Sequence, residues 1–306
     1  MCQMIVIITE SESEIVLADF KSATAQEPSF SKSEIENSSC KESYKKVIQK
    51  AIDTIESGSL TKVVLSRKEI HKLTDFDLVV VLQRLLNSYS SAFSYCFYHP
   101  NVGLWLGAFS EQLLKMEGAS FYTSAVAGTQ VFEEKRSVIW QSKEKQEQEF
   151  VSDFIFDKIK EIASQIKISA PYTLKAGNLL HIKTDIQGIL NLDANLKQIV
   201  EILHPTPAVC GLPLDKAKEF INDYEGYDRE YYSGFLGELN VDFNTKTSDT
   251  DLYVNLRCVK INLVPKPEPS QAHLYVGGGI TKYSDPEKEW YETVNKSLTI
   301  KKILDF

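Results

Sequence analysis

Apolar residues recur at helical spacing at Tyr44, Val47, Ile48, Ala51, Ile52 and Ile55, and Gly58 follows where such a helix would stop. The period then changes. From Thr61 to Ile70 the chain is rich in β-branched residues and flanked by turn residues, which predicts a strand with Lys62, Val64 and Ser66 on one face. A helix is predicted from about 75 to 88. Four apolar runs follow, at 92–98, 102–107, 112–116 and 119–127, broken at 99–101 and at Gly118, the pattern of an antiparallel meander. A long helix opens near Ser142, with Val151, Phe154, Ile155, Ile159 and Ile162 in a 3.6-residue period. Beyond it the pattern predicts a strand pair across 172–190, a helix near 193–203, a loop at 204–207, a helix near 214–225, and strands near 232–240, 251–263 and 272–277. A terminal helix opens on a capping box formed by Ser284 and Glu287. At the other end, a strand over Met4 to Thr9 leads into a segment rich in Ser, Glu and Lys, with little periodicity, as far as Lys41. The chain thus divides into a strand and linker-like segment, 1–43, and one folded unit, 44–306. Strands outnumber helices and come in antiparallel clusters, so the fold class is α+β.

Charge narrows the range of partners. The 306 residues carry 34 Lys+Arg against 42 Asp+Glu, a net charge of −8, and no cationic block, which argues against a nucleic-acid partner. An anionic ligand would have to be met by a few local cations, backbone amides or a bound metal. The five cysteines, Cys2, Cys40, Cys96, Cys210 and Cys258, are scattered without a CxxC pair, so neither a disulfide framework nor a zinc site is signalled. The start, MCQMIVIITE, lacks a basic leader, and no stretch approaches the ~20 apolar residues of a membrane span. A cytoplasmic protein with no membrane partner is expected.

Spacing offers three places for chemistry. Gly277, Gly278 and Gly279 do not complete a dinucleotide fingerprint, because Lys282 stands where its third glycine belongs. They read either as a tight turn or as exposed amides that hold a carboxylate. Glu147 steps by four to Val151 and Ile155, which puts its carboxylate on the inward side of the long helix; the alternative is a solvated first turn among Lys143, Glu144, Lys145 and Gln146. Glu289, Glu292 and Lys296 share a face of the terminal helix, where a surface pair worth only ~0.5 kcal/mol is the default reading. Lone residues such as Arg257 and His204 are, on the same footing, partners of backbone carbonyls. No HExxH or GxSxG motif occurs, so zinc-enzyme and serine-hydrolase readings drop out.

Seven blocks carry a more specific signal: KVVLSR at 62–67, LGAFSE at 106–111, AGT at 127–129, LHPTPAVCGLP at 203–213, DREYYSGFLGELN at 228–240, NLRCVKI at 255–261 and LYVGGGITKYSDPEKEWYETVNK at 274–296. In this order they resemble the chorismate-binding enzymes, over roughly 44–303, and among them the isochorismate synthases most. The resemblance implies one large α+β domain of two stacked antiparallel β-sheets covered by helices. It makes Lys62 the general base that activates water and Glu111 the general acid that protonates the departing 4-hydroxyl of chorismate. It makes Glu147 and Glu292 ligands of Mg²⁺, with Glu144 and Glu289 assisting the metal through water. Arg257, Lys296 and the amides around Gly128, Thr129, Gly277 and Gly279 match groups that hold the substrate carboxylates, and His204 sits in a block that lines the site. Phe109 and Ser110 depart from the small residue and proline usual before the acid.

These roles agree with elementary chemistry. Chorismate is a dianion, and in a chain of net charge −8 the compensating charge must come locally, from Mg²⁺, Arg257 and Lys296. The nucleophile follows from two positions: ammonia-using members resemble a glutamine at the place of Lys62, and aminodeoxychorismate synthases carry an attacking lysine at the place of Ala127. A lysine at the first and none at the second imply addition of water at C2 with loss of the 4-hydroxyl, feeding menaquinone or siderophore synthesis. A salicylate synthase, which would also eliminate pyruvate, is the nearest alternative, and a non-catalytic homologue the more distant one.

Overall fold

The protein is described by a computed structural model covering residues 4–7, 38–89, 92–109, 111–132, 138–176, 179–242, 245, 247–264 and 268–304. Of the linker-like stretch expected over 10–41, residues 10–37 lie outside these residues and 38–41 are helical. This helix, α1 (Ser38–Glu56), contains the boundary drawn at residue 43. Its first turn carries no apolar period; Lys41 and Lys45 instead reach Glu287 on the terminal helix, Lys45 at 2.8 Å.

Seven strands form the first sheet: β1 (Met4–Ile7), β2 (Lys62–Leu73), β3 (Phe93–His99), β4 (Gly103–Phe109), β10 (Gly211–Leu212), β13 (Cys258–Asn262) and β14 (Ser270–Ile280). Their order is β1-β3-β4-β13-β14-β2-β10, antiparallel except for β1 on β3. The second sheet runs β11 (Phe235–Glu238), β12 (Thr250–Val254), β5 (Gln112–Glu117), β6 (Ser120–Val131), β9 (Leu179–Leu190), β7 (Ala163–Ile168), with β8 (Tyr172–Ala176) also paired to β9. Five further helices are described: α2 (Leu78–Ser88), α3 (Ser142–Ile159), α4 (Leu196–Leu203), α5 (Leu214–Tyr224) and α6 (Pro286–Leu304).

The period-2 alternation of each strand decides which layer its side chains join. On β2, Val63 and Leu65 pack under α1 and α5 with Ile48, Ile52 and Phe220. On β4, Leu104 and Leu106 join Leu85 of α2 and Ile303 of α6. The opposite face of the same strand sends Trp105 and Phe109 into an aromatic cluster with Tyr275, against which Leu236 and Tyr253 of the second sheet pack. Phe93 and Tyr253 stack at 4.4 Å between ring centroids, so the two sheets meet face to face. Helices α3 and α4 cover the second sheet through Val151, Ile155, Ile159 and Ile199. The α+β fold of two stacked sheets is as expected.

Three local expectations need correction. The helical period predicted through Ile162 ends at Ile159, and Ala163–Ile168 is an edge strand. The strand predicted over 251–263 is two strands in different sheets, separated by Arg257 at φ 47. The terminal helix is capped by Asp285, whose Oδ1 accepts from Lys288 N at 2.9 Å, while Ser284 Oγ accepts from Thr281 N. Glu287, the other half of the expected capping box, is committed to the lysines of α1.

Candidate active site

A cavity of about 410 Å³ opens between the sheets, bordered by Val64, Phe109 and Gly277 from the first and by Ala127, Gly128 and His181 from the second. Its shape rests on glycine. Strand β14 pairs with β13 only as far as Leu274, so the run Gly277–Gly279 borders the cavity on that side and β2 on the other, opposite Ser66, Leu65 and Val64. It is strand interior, not a tight turn. A Cβ on Gly279 would stand 2.0 Å from Glu147 Oε1 and 3.0 Å from Lys62 Cε, and one on Gly277 would meet Leu65 O at 2.7 Å. Gly128, at φ +72, lets the first turn of α3 approach β6, with Glu144 Cβ 2.9 Å from where its own Cβ would be.

Lys62, at the start of β2, is fully buried, with Nζ 3.0 Å from Oε1 of Glu147 on the second turn of α3. That Nζ lacks a hydrogen bond of good geometry, so the contact is chiefly one of charge. Glu111 follows β4, borders the cavity and is partly buried. Burial pushes its carboxyl up to about 7, against the opposing pull of Arg257, Lys62 and Lys296. Arg257 occupies the break between β12 and β13 and faces the same cavity, and burial lowers its pKa. Lys296 on α6 donates to Gly277 O at 2.9 Å and to Glu292 Oε1 at 2.7 Å. Thr129 borders the cavity with Oγ1 3.4 Å from His181 Nδ1.

The four acidic residues assigned to magnesium are distributed unequally. Among the described residues no three acidic, histidine or cysteine side chains form a ready-made metal site. Lys62 holds Glu147, Lys296 holds Glu292, and Lys143 lies 2.5 Å from Glu289 Oε1. Burial raises the Glu289 carboxyl despite Lys143; burial would raise Glu292 too, but Lys296 and Lys143 outweigh it and hold that carboxyl low. Glu144 also caps its own helix: its Oε2 accepts from Gln141 N at 3.0 Å at the start of α3. The donors nonetheless fit a hard cation. They are oxygens, Glu289 Oε2 is buried without a hydrogen-bond partner, and the bare Cα of Gly278 leaves Glu292 Oε1 and Glu289 Oε2 only 3.4 and 3.7 Å from where a Cβ would sit.

His204 lies apart from these residues. It does not border the cavity; its ring packs edge-on against Phe235 at 5.0 Å, and burial lowers its pKa to about 4. Ala208 and Val209 of the same block line the cavity instead. Spacing also misses two residues. His181, a lone histidine on β9, sits at the cavity with its pKa lowered to about 3, by burial first and then by Arg257 and Lys296. Its Nδ1 is 3.0 Å from Gly128 O, which can only accept, so Nδ1 carries the proton and Nε2 is the free acceptor. Lys143 is hidden in a charged run that reads as solvent-facing. No helix among the described residues is long and apolar enough to cross a membrane.

Comparison with known proteins places the chain in a family. The family described as chorismate binding enzyme matches residues 3–305. Isochorismate synthase EntC of Escherichia coli (strain K12) is 29% identical over 270 residues, which cover 84% of this chain and 66% of EntC, so the chain spans just under two thirds of that relative's length. The structure of MenF, the menaquinone-specific isochorismate synthase from Escherichia coli, matches with a TM-score of 0.75 at 26% identity, covering 86% of this chain and 61% of that one. A putative 2,3-dihydroxybenzoate-specific isochorismate synthase, DhbC from Bacillus anthracis, has a TM-score of 0.77 at 24% identity over 90% of this chain and 76% of that one, a likeness of fold.

Proposed function

The chain belongs to the chorismate-binding enzymes, and on that premise we propose that it is a magnesium-dependent isochorismate synthase, converting chorismate to isochorismate in the cytoplasm. The observation that carries the reading is Glu111: a carboxyl raised to about 7, facing the cavity that Arg257 and Lys296 also face, and under the influence of Lys62. A carboxylic acid tuned to that value is half protonated near neutral pH and suits a general acid. EntC and MenF, both isochorismate synthases by name, support the choice of reaction.

In this reading the substrate dianion lies between the sheets. Among the described residues no acceptor closes on the Arg257 guanidinium, which leaves its planar fork for a carboxylate. Lys296 is fixed by Gly277 O and Glu292 and presents its remaining charge to the same space. Lys62, after release of its proton, takes one from water attacking C2, and Glu111 gives its proton to the leaving 4-hydroxyl. His181, neutral and anchored through Nδ1, offers Nε2 as an acceptor toward the ring. Glu147 and Glu292, with Glu289 behind them, would hold Mg²⁺, which supplies charge neutralisation for a substrate carboxylate. Isochorismate made in this way would serve menaquinone or siderophore synthesis. Chromatography of the products formed from chorismate and Mg²⁺ tests the proposal.

A further inference from the structure

Lys143 is the second residue of α3, in a run of charges that by sequence alone would lie in water. The fold turns it inward. Its side chain is 17% exposed and its Nζ lies 2.5 Å from Glu289 Oε1, itself only 3% exposed. Glu292 and Glu147 act on the same ammonium through space. Lys62 and Lys296 already pair with Glu147 and Glu292, so among the described residues Lys143 is the cation paired with Glu289, whose second oxygen is buried without a hydrogen bond of good geometry and has the Ser284 hydroxyl nearby. Lys143 does not border the cavity; its ammonium lies against the acidic cluster.

We propose that Lys143 is the counter-cation of this cluster in the metal-free protein, occupying Glu289 until a divalent cation displaces it. The proposal rests on the reading of Glu147, Glu289 and Glu292 as a magnesium site. The physical argument is one of competition. Buried carboxylates that repel one another need a cation nearby, and a monovalent ammonium on a flexible four-carbon stem supplies it without fixing a geometry. A divalent ion carries twice the charge of the ammonium and would compete for the same carboxylates, so its entry must loosen the Lys143 pair. That pair therefore lowers apparent metal affinity while it stabilises the metal-free fold.

The test is titration of the full chain with Mn²⁺, without substrate, read by the resonance of free Mn²⁺, alongside thermal unfolding in EDTA. Lys143→Met is expected to bind Mn²⁺ about tenfold tighter or more, the scale of one charge-assisted pair. In EDTA it should melt below the unsubstituted protein, and saturating Mn²⁺ should narrow that gap. Lys143→Arg keeps the charge and grips the carboxylate through two nitrogens, so it should bind Mn²⁺ more weakly than the unsubstituted protein; this variant decides the question even where the methionine variant fails to fold. Equal or weaker Mn²⁺ binding by Lys143→Met, an unchanged melting temperature in EDTA, or equal or tighter binding by Lys143→Arg each overturns the proposal and leaves the magnesium reading standing. An unsubstituted protein that binds no Mn²⁺ overturns both.

Discussion

Lys62 Nζ stands 3.0 Å from Glu147 Oε1, the lysine fully buried and the carboxylate side chain 12% exposed. The pair joins the first residue of β2 to the first turns of α3, and so ties one sheet to the helix that covers the other. The residue proposed as base thus depends, for its place and its charge, on a residue proposed as metal ligand.

Removing one partner alone strands the other. Lys62→Gln should abolish turnover and, in metal-free buffer, lower stability by ~3 kcal/mol, the cost of an uncompensated buried charge. Lys62→Gln combined with Glu147→Gln should recover part of that loss, giving a coupling of ~1–3 kcal/mol in a urea-unfolding cycle. Additive losses would show that the contact carries no energy.

Glu111 predicts a pH profile. Its folded value of about 7 lies above the ordinary 4.5, so its protonated form favours the folded state: the contribution is complete below pH 4.5 and is lost as pH rises through 7. Glu111→Gln should flatten that slope and exceed the unsubstituted protein in stability at pH 8 by about 1–2 kcal/mol, less than the bare shift implies because the residue is only partly buried. In the active protein, kcat/KM should fall as pH rises above about 7, and Glu111→Gln should bind chorismate without turning it over. A flat profile from pH 6 to 8 would remove Glu111 from the acid's role.

Metal dependence follows from the oxygen donors. EDTA should abolish turnover, and Glu147→Gln and Glu292→Gln should each weaken Mn²⁺ binding at least tenfold, since each removes a charged ligand from a hard-cation site. Calorimetric titration measures this directly, and unchanged affinity in both variants would place the metal elsewhere.

Gly279→Ala tests the packing of the site. The new Cβ would sit 2.0 Å from Glu147 Oε1, so the carboxylate must move and the Lys62 contact must open. A loss of ~1–3 kcal/mol in stability is expected, with activity reduced a hundredfold or more. Gly118→Ala, at a hairpin turn with open space around it, should cost stability through its φ of +60 alone and leave activity intact.

What the sequence reveals of this fold follows from where periodicity is strong. The inward face of α3 is legible, and with it the inward Glu147, because Val151, Ile155 and Ile159 enforce one helical register. The alternation on β2 likewise points Lys62 away from the helices that bury Val63 and Leu65. The break at Arg257 is not legible, because apolar residues continue on both sides of it while the chain changes sheets. The start of α1 escapes for the opposite reason: ion pairs to Glu287 hold a turn that has no apolar face. At the site, the family motifs pick out Glu111, Arg257 and Lys296 on one cavity and Lys62 beside Glu147, while His204 packs against Phe235 and Glu144 also caps α3. His181 and Lys143 go unseen because a lone histidine and a charged run have many bland explanations, and only the stacked sheets put them beside their partners.

The most direct measurement is chromatography of the products formed from chorismate and Mg²⁺, with and without ammonium. With Lys62 at the base position and Ala127 where an attacking lysine would stand, the proposed function makes water the nucleophile. Isochorismate should be the main early product, unchanged by ammonium, and absent with Lys62→Gln. Anthranilate or aminodeoxychorismate would contradict the choice of nucleophile, and salicylate with pyruvate as the main early product would contradict the reaction itself.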